Sequence, residues 1–111
     1  MEIRDNDKIC IMAPLTPKLD KIACDRLYKK IMNDYRNVAI DLSYVHECSI
    51  DFIENIKQIA KTKKIGIFNI PSDIFVLFNI MDIDKHADLY VSELDFKENQ
   101  RTLINRKFSL V

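Results

Sequence analysis

The sequence predicts an α/β fold with a mixed, mostly parallel sheet that carries an antiparallel strand at its amino-terminal edge. Short apolar runs, such as residues 38–42 and 65–70, are typical of strands buried on both faces. Between these runs apolar residues recur at steps of three and four, which indicates helices that bury one face. Alternating strands and helices imply right-handed crossovers and parallel pairing. The expected order is β-β-α-β-α-β-α-β-α.

Length and composition limit the classes of protein to which the chain can belong. Its 111 residues suffice for one domain with a buried core, so we expect a single domain over residues 1–111, with 105–111 either a tail or an extra strand. Basic and acidic residues number 17 each, so no net charge attracts nucleic acid or an anionic membrane. The apolar runs are too short for a membrane span, and the first residues do not resemble a secretory leader. We therefore expect a cytoplasmic protein.

The first part of the chain predicts a hairpin followed by a helix. Residues 1–4 alternate in polarity, residues 5–7 form a turn cluster, and residues 8–13 form a second β-type run, so the first strand should lie at the sheet edge. Thr16 and Pro17 predict the start of the first helix, because a hydroxyl caps the free amides and proline suits the first helical position. The apolar stripe of this helix consists of Leu19, Ile22, Ala23, Leu27 and Ile31.

The central segment reads as a buried strand, a polar loop and a second helix. Residues 38–42 form the strand, and apolar residues at helical spacing begin at Phe52. Asp51 and Glu54 have the spacing of a capping box, which predicts that Asp51 caps this helix. In the functional interpretation the same helix end favours an anion, such as phosphate on Ser49 or a carboxylate of a partner, by about 0.3–1 kcal/mol.

The second half of the chain predicts two more strands and two more helices. Residues 65–70 form a buried strand that contains Gly66, the single glycine, so no Gly-rich phosphate loop, dinucleotide fingerprint or nucleophile elbow is present. Residues 71–73 are expected to break this strand and cap a third helix that ends near Ile80. A strand is expected at residues 87–91, and residues 92–95 indicate the cap of a last helix.

Four segments, in this order along the chain, carry a family resemblance: Thr16-Pro17-Lys18-Leu19, Val38-Ala39-Ile40-Asp41-Leu42-Ser43-Tyr44-Val45, Asn69-Ile70-Pro71-Ser72, and residues 78–85 with Leu89-Tyr90-Val91-Ser92. Together they resemble the STAS domain, the sulfate-transporter and anti-sigma-factor-antagonist family, over most of the chain. The second segment is similar to the family's hallmark strand, v-v-l-D-L-s-x-v, and the third to its n-p-s turn. The resemblance implies a regulatory protein that binds a partner, typically a serine-kinase-type anti-sigma factor.

The resemblance also implies a switch that this sequence alters. The family is phosphorylated on a serine in D-S-S-G at the start of the second helix. Counted without gaps from Asp41, Ser49 stands at the family's Asp, Ile50 at the phosphorylated Ser, Asp51 at the next Ser and Phe52 at the Gly. Counted back from the n-p-s turn, the alignment moves by about three residues, which leaves Ser49 as the candidate acceptor. Asp82, where a glycine is common in the family, is a second departure.

The expected docking surface is the tip of the central strand with the start of its helix, residues 46–52, flanked by residues 14–16. Loops at the carboxyl ends of parallel strands are where α/β folds meet ligands and partners. The candidate partner-binding residues are Pro14, Leu15, Thr16, His46, Glu47, Cys48, Ser49, Ile50, Asp51 and Phe52.

His46, Glu47 and Cys48 were weighed as metal ligands and as a Cys/His catalytic pair. Adjacent residues of an extended chain point to opposite sides, and zinc ligands usually come from paired clusters, which the sequence lacks. A nucleophilic Cys48 needs an oriented base, for which only His46 and His86 are available. The three cysteines lack CxxC spacing and indicate reduced thiols. We expect no metal, no cofactor and no enzymatic activity.

A second surface is expected on the third helix, which is apolar nearly all the way round. A helix on one side of a sheet buries only a stripe of its surface, so Phe75 and Val76 are candidates for a partner or homodimer interface, provided that Leu77, Ile80 and Ile74 or Phe78 face the sheet. Alternatively the C-terminal tail, through Phe108 and Leu110, covers them. The tail is locally basic, with Arg101, Arg106 and Lys107, and is expected to be solvated or to add an edge strand.

Two functions are open at this stage. The first is a small regulatory protein that binds another protein, such as an anti-sigma factor or a related regulatory subunit. The second is an accessory subunit of a transport complex that binds a small ligand, a nucleotide or a lipid, in the crevice near residues 46–52. Co-purification from native lysate reveals a protein partner, whereas mass spectrometry of the purified protein reveals a carried ligand.

Overall fold

The computed structural model of the protein describes residues 1–98. The elements, in chain order, are β1 (Glu2–Asp5), β2 (Ile9–Ala13), β3 (Lys18–Leu19), α1 (Lys21–Met32), β4 (Asn37–Asp41), β5 (Glu47–Cys48), α2 (Ile50–Ala60), β6 (Ile65–Phe68), α3 (Ser72–Ile80), a 3₁₀ turn (Ile83–Lys85), β7 (Asp88–Leu89) and α4 (Glu93–Lys97).

The main sheet confirms the predicted fold class and order. Its strands are arranged β1-β2-β4-β6-β7. Strands β2, β4, β6 and β7 are parallel, and β1 pairs with β2 in the antiparallel sense at the edge. The short strands β3 and β5 form a separate parallel pair that the sequence did not predict. No helix in the described part of the chain is long and apolar enough to cross a membrane.

One face of the sheet carries the large core under α1, α2 and α3. Side chains of a strand point alternately to the two faces, so Val38 and Ile40 of β4 face these helices. Each helix contributes a buried stripe, and Phe52 of α2 stacks on Phe78 of α3 with ring centroids 5.9 Å apart. The buried helix residues in this core are Cys24, Leu27, Ile31, Phe52, Ile53, Ile56, Ile59, Ile74 and Phe78.

The opposite face carries a smaller cluster under the short helix α4. Ile11, Ala39, Phe68 and Tyr90 are buried there, and Phe96 of α4 packs against them. This packing explains the single glycine, because a Cβ on Gly66 would lie 2.9 Å from the ring of Tyr90 and 3.0 Å from the ring of Phe96. The glycine therefore allows the two rings to approach the strand.

The start of α1 differs from the prediction. The helix begins at Lys21, and the side chain of Asp20 caps it by accepting the N–H of Ala23 at 2.9 Å. The Thr16-Pro17 signal fails because residues 18–19 pair with β5 instead. The later start changes which residues the helix buries. Ile22 is 64% exposed, and Cys24 takes its place in the core.

The starts of α2 and α3 also differ from the prediction. Helix α2 begins at Ile50 with Ser49 at the N-cap position, so Asp51 lies inside the first turn and is not the cap. Helix α3 begins at Ser72 with Pro71 at the N-cap position, so Ser72 and Asp73 do not cap it. The predicted cap of α4 is confirmed, since the Ser92 hydroxyl accepts the Asp95 N–H at 3.3 Å.

Candidate functional site

The β3–β5 pair joins the two segments that the sequence assigns to a docking surface. The N–H groups of His46 and Glu47 both donate to the carbonyl of Pro17, at 2.7 and 3.0 Å, and the N–H of Ser49 donates to the carbonyl of Leu19 at 3.0 Å. These bonds tie the loop after β4 to the segment after β2. Residues 14–16 and 46–51 therefore lie at the same end of the molecule, although about 30 positions separate them in sequence.

Large apolar side chains are exposed at this carboxyl end of the parallel sheet. Leu15 follows β2, Tyr44 follows β4 and Ile50 begins α2, and each is exposed over more than half of its surface. Val91, which follows β7, is also exposed. We call Leu15, Tyr44, His46, Glu47 and Ile50 the carboxyl-edge surface. Exposed apolar side chains gathered at one end of a fold are typical of an interaction site.

A buried carboxylate organises the loops beneath this surface. Asp41 ends β4 and is 3% exposed. Its Oδ1 accepts the N–H of Ser43 at 3.0 Å, the Ser43 hydroxyl, and the side-chain amide of Asn69 at 3.1 Å. Burial alone would raise the pKa of Asp41, but the hydrogen bonds from Ser43, Arg4 and Asn69 outweigh it and hold the pKa below its usual value. The carboxylate therefore fixes the loops after β4 and β6 together.

Arg4 extends this network to the edge strand and to α4. Its guanidinium donates to Oδ2 of Asp41 at 2.8 Å and to Oε1 of Glu93 at 2.6 Å, and it also pairs with Glu2. The hydrogen bond with Asp41 is the main cause of a raised pKa for Arg4. Charge-assisted bonds of this kind hold their geometry well. Arg4 thus links β1, β4 and α4 through one side chain.

The structure places the predicted docking residues at three depths. Leu15, His46, Glu47 and Ile50 are exposed, and Thr16, Cys48, Ser49 and Asp51 are half-buried. Pro14 and Phe52 are buried, and Phe52 belongs to the core under α2. These two side chains therefore lie beneath the predicted docking surface and are not exposed on it. Phe52 turns inward because α2 starts two residues before it, which places Phe52 on the buried side of the first turn.

The thiols at this end do not have the character of nucleophiles. Burial raises the pKa of Cys48 to about 11 and also raises the pKa of Cys24. A nucleophilic cysteine usually has a lowered pKa, because the thiolate is the reactive form. Cys24 Sγ lies 3.8 Å from the Ser49 hydroxyl. Within residues 1–98 no group of three or more His, Cys, Asp or Glu side chains is placed to hold a metal ion.

The second predicted surface, on α3, is partly as expected. Val76 is 59% exposed, whereas Phe75 is half-buried and packs against the core. The prediction assumed that Leu77, Ile80 and Ile74 or Phe78 face the sheet, but Ile80 is 70% exposed. Ile74 and Phe78 are buried as expected. Phe108 and Leu110, the tail residues proposed to cover this helix, lie outside the described residues, as do residues 105–111 of the proposed extra strand.

Two residues of the site escaped the sequence analysis. Tyr44 was grouped with the hallmark strand, but with Ser43 it forms the turn that the Val45 N–H closes by donating to the Leu42 carbonyl at 3.0 Å. The role of Arg4 could not be predicted from neighbouring residues, because its partners Asp41 and Glu93 lie 37 and 89 positions away. No protein-family model and no curated protein matches the chain in the comparisons made. The function is therefore argued from this geometry.

Proposed function

We propose that the protein is a small STAS-like regulatory protein that docks onto another protein, as an anti-sigma-factor antagonist or a related regulatory subunit. One observation carries the proposal. Apolar side chains from three separate segments, Leu15, Tyr44 and Ile50, are exposed at the carboxyl end of the sheet. Protein interfaces have an apolar and aromatic centre surrounded by polar groups. His46 and Glu47 supply such polar groups beside the apolar ones.

The framework under the carboxyl-edge surface supports a docking role. The β3–β5 pair and the Asp41 network fix its loops before any partner arrives. A preorganised surface loses less conformational freedom on binding, which favours affinity. The same framework keeps the polar backbone of the loops paired, so the exposed apolar groups are a feature of a stable fold.

The proposal includes a docking surface that works without the family's serine switch. Ile50 stands at the acceptor position in the gap-free alignment, and it carries no nucleophile. Ser49 is half-buried, and its hydroxyl lies 3.4 Å from Oδ2 of Asp51. A phosphate there would meet the charge of Asp51, and like charges at this distance oppose each other.

Affinity capture with matched baits tests the proposal. Wild-type protein and the Ile50→Glu and Gln58→Glu variants are immobilised and exposed to native lysate of the source cell. Both substitutions place one carboxylate on an exposed position of α2, but only Ile50 lies on the carboxyl-edge surface. We expect wild type and Gln58→Glu to retain the same protein, and Ile50→Glu to lose it. Retention by all three baits would contradict the proposed surface.

Native mass spectrometry of the purified protein tests the alternative function. A protein-binding module should appear at the mass of the polypeptide alone. A reproducible added mass in the range of a nucleotide or a lipid would favour the small-ligand accessory subunit. Substitution Ile50→Glu would then be expected to remove the added mass if the ligand lies near residues 46–52.

A further inference from the structure

Helix α1 and the segment after β2 form an open groove of about 500 Å³. We call it the α1 groove and define it by Leu15, Ile22, Arg26 and Lys30. Leu15 and Ile22 are both exposed large apolar residues. Ile22, Arg26 and Lys30 follow one another at steps of four on the helix, so they share one face of α1. The groove thus joins apolar side chains to a row of cations.

The groove keeps a net positive charge within the described chain, because Lys18, Arg26 and Lys30 line it beside one carboxylate, that of Asp20. Helix α1 contains four basic residues and one acidic residue. Its acidic residue, Asp25, pairs with Lys21 at 3.8 Å. Arg26 and Lys30 take part in no ion pair within residues 1–98. A partner of the groove should therefore present apolar side chains accompanied by carboxylates.

Helix α3 presents such a combination. Asp73, Val76 and Ile80 are exposed and follow one another at steps of three and four, so they lie on one face. We call these three residues the α3 ridge. Asp73 is the one charged residue of α3, whereas Asp82, after the helix, pairs with Lys85 at 3.6 Å. Asp73 forms no ion pair among residues 1–98. The ridge is apolar and acidic where the groove is apolar and basic.

We propose that the α3 ridge of one copy of the chain docks into the α1 groove of a second copy. Charge complementarity and exposed apolar surface on both sides favour this pairing. The C-terminal segment of the same chain is a poor occupant of the groove. Residues 99–111 contain Arg101, Arg106 and Lys107 and no acidic side chain, so their charge has the same sign as that of the groove. The proposal does not depend on the function proposed above.

The topology limits the kinds of assembly that can result. Helix α1 connects β2 to β4, and α3 connects β6 to β7, so the two surfaces lie toward opposite edges of one face of the sheet. If both pairs of surfaces meet at once, the contact closes as a two-fold dimer. If only one pair meets, the contact is head-to-tail and extends into open chains or closes into a ring.

Sedimentation equilibrium of the purified protein at low salt tests the pairing. We expect the weight-average mass to rise with concentration above that of one copy. A groove variant, Arg26→Glu with Lys30→Glu, and a ridge variant, Val76→Glu with Ile80→Glu, should each weaken association by at least tenfold, because each places carboxylates against carboxylates or in an apolar contact. Lys61→Glu with Lys64→Glu is the matched control. It reverses two exposed charges elsewhere and should associate as wild type does. Thermal melting shows that each variant is folded.

Mixing the groove variant with the ridge variant tests the proposed pairing most directly. The groove variant keeps an intact ridge and the ridge variant keeps an intact groove, so an equimolar mixture should form a one-to-one dimer that grows no further. A monomeric wild type at every concentration would overturn the proposal. So would association that both folded variants retain, or a mixture that forms no dimer. Leu15 belongs to both the α1 groove and the carboxyl-edge surface, but no variant in this experiment changes a residue of the carboxyl-edge surface, so the capture of a partner by Ile50 can be tested separately.

Discussion

The two ends of the parallel sheet use charged residues in different ways. At the carboxyl end one buried carboxylate, Asp41, accepts hydrogen bonds from Arg4, Ser43 and Asn69, and exposed apolar side chains lie above it. At the amino end the exposed lysines Lys61 and Lys64 line an open groove of about 850 Å³. Asp41 is almost fully buried, whereas the charge network of the amino end is partly exposed: Arg36 pairs there with Asp34 and Asp5, and Lys63 donates to the carbonyls of Ile31 and Asp34.

This difference indicates which charged side chains hold the segments around them in one arrangement. Exposed charges are screened by solvent and contribute little to stability, whereas a buried, fully paired carboxylate holds its surroundings in one arrangement. Asp41 connects segments that come from residues 4, 41–43, 69 and, through Arg4, 93. The amino end also has side-chain links between elements, since Arg36 joins β1 to the segment before β4 and Lys63 joins the segment after α2 to the end of α1. We propose the carboxyl end as the docking site because Leu15, Tyr44 and Ile50 are exposed there, and each prediction below compares the two ends.

The largest expected effect is on stability. Asp41→Asn keeps the shape of the side chain but removes the charge that pairs with Arg4, so it should lower the free energy of unfolding by about 2–3 kcal/mol. Asp84→Asn, an exposed position in the amino-end groove, is the matched control and should change it by less than about 0.5 kcal/mol. Urea denaturation measures both. Equal losses of unfolding free energy for the two variants would contradict the proposed difference between the two ends of the sheet.

The pH dependence of stability should show the same distinction. The folded-state pKa of Asp41 lies below its usual 3.8. The stabilisation by the Asp41 carboxylate is therefore complete above the usual pKa of 3.8 and is lost as the pH falls through the folded-state pKa. The difference in unfolding free energy between wild type and Asp41→Asn should be constant from neutral pH to about pH 5 and should shrink progressively below the usual pKa. A difference that grows on acidification would mean that the pKa of Asp41 is raised in the folded protein.

A smaller effect is expected on partner binding. Glu47→Lys reverses an exposed charge whose only described ion pair is with Lys18, at 3.9 Å. We expect partner affinity to fall by about fivefold, or about 1 kcal/mol, with a melting temperature close to that of wild type. Lys61→Glu at the amino end is the control and should alter neither quantity. Surface plasmon resonance with the captured partner measures the affinities, and a larger effect of Lys61→Glu would transfer the docking site to the amino end.

The smallest expected signal is that of phosphorylation at the carboxyl end. Incubation with a serine kinase of the anti-sigma-factor type and ATP should leave residues 49–54 without stoichiometric phosphate, since Ile50 cannot accept it and Asp51 opposes it at Ser49. Intact-mass and peptide mass spectrometry measure the label. Stoichiometric phosphate on any residue of this segment would show that the switch is retained, and label on Ser49 alone would identify the shifted alignment as the correct one.

The sequence predicted the sheet well because its signals are local. The run of residues 38–42 is apolar enough to require burial on both faces, and the glycine at position 66 excluded whole classes of phosphate site. The start of α1 was wrong for the opposite reason. A cap signal at Thr16-Pro17 is local, but the pairing of β3 with β5 is tertiary and overrides it. Two-residue strands carry no periodicity from which they could be predicted.

The candidate site could be predicted only in outline. The position of a polar loop after β4 follows from the pattern, and so does its proximity to the loop after β2 in a parallel sheet. The exposure of single residues could not be predicted from the pattern. Helix α2 starts two positions earlier than predicted, so Asp51 is a first-turn residue instead of the cap, and Phe52 lies in the core. The Arg4–Asp41 bond joins residues 37 positions apart and is set by the alignment of β1 on the sheet.

Hydrogen–deuterium exchange of the protein, alone and with the protein that it captures, tests the docking claim most directly. The two ends are read in one experiment, so each serves as the control for the other. We predict that the partner slows exchange in residues 14–17 and 43–51 and leaves residues 57–64 and 84–88 unchanged. Slower exchange confined to residues 57–64 and 84–88, with none at the carboxyl end, would contradict the account.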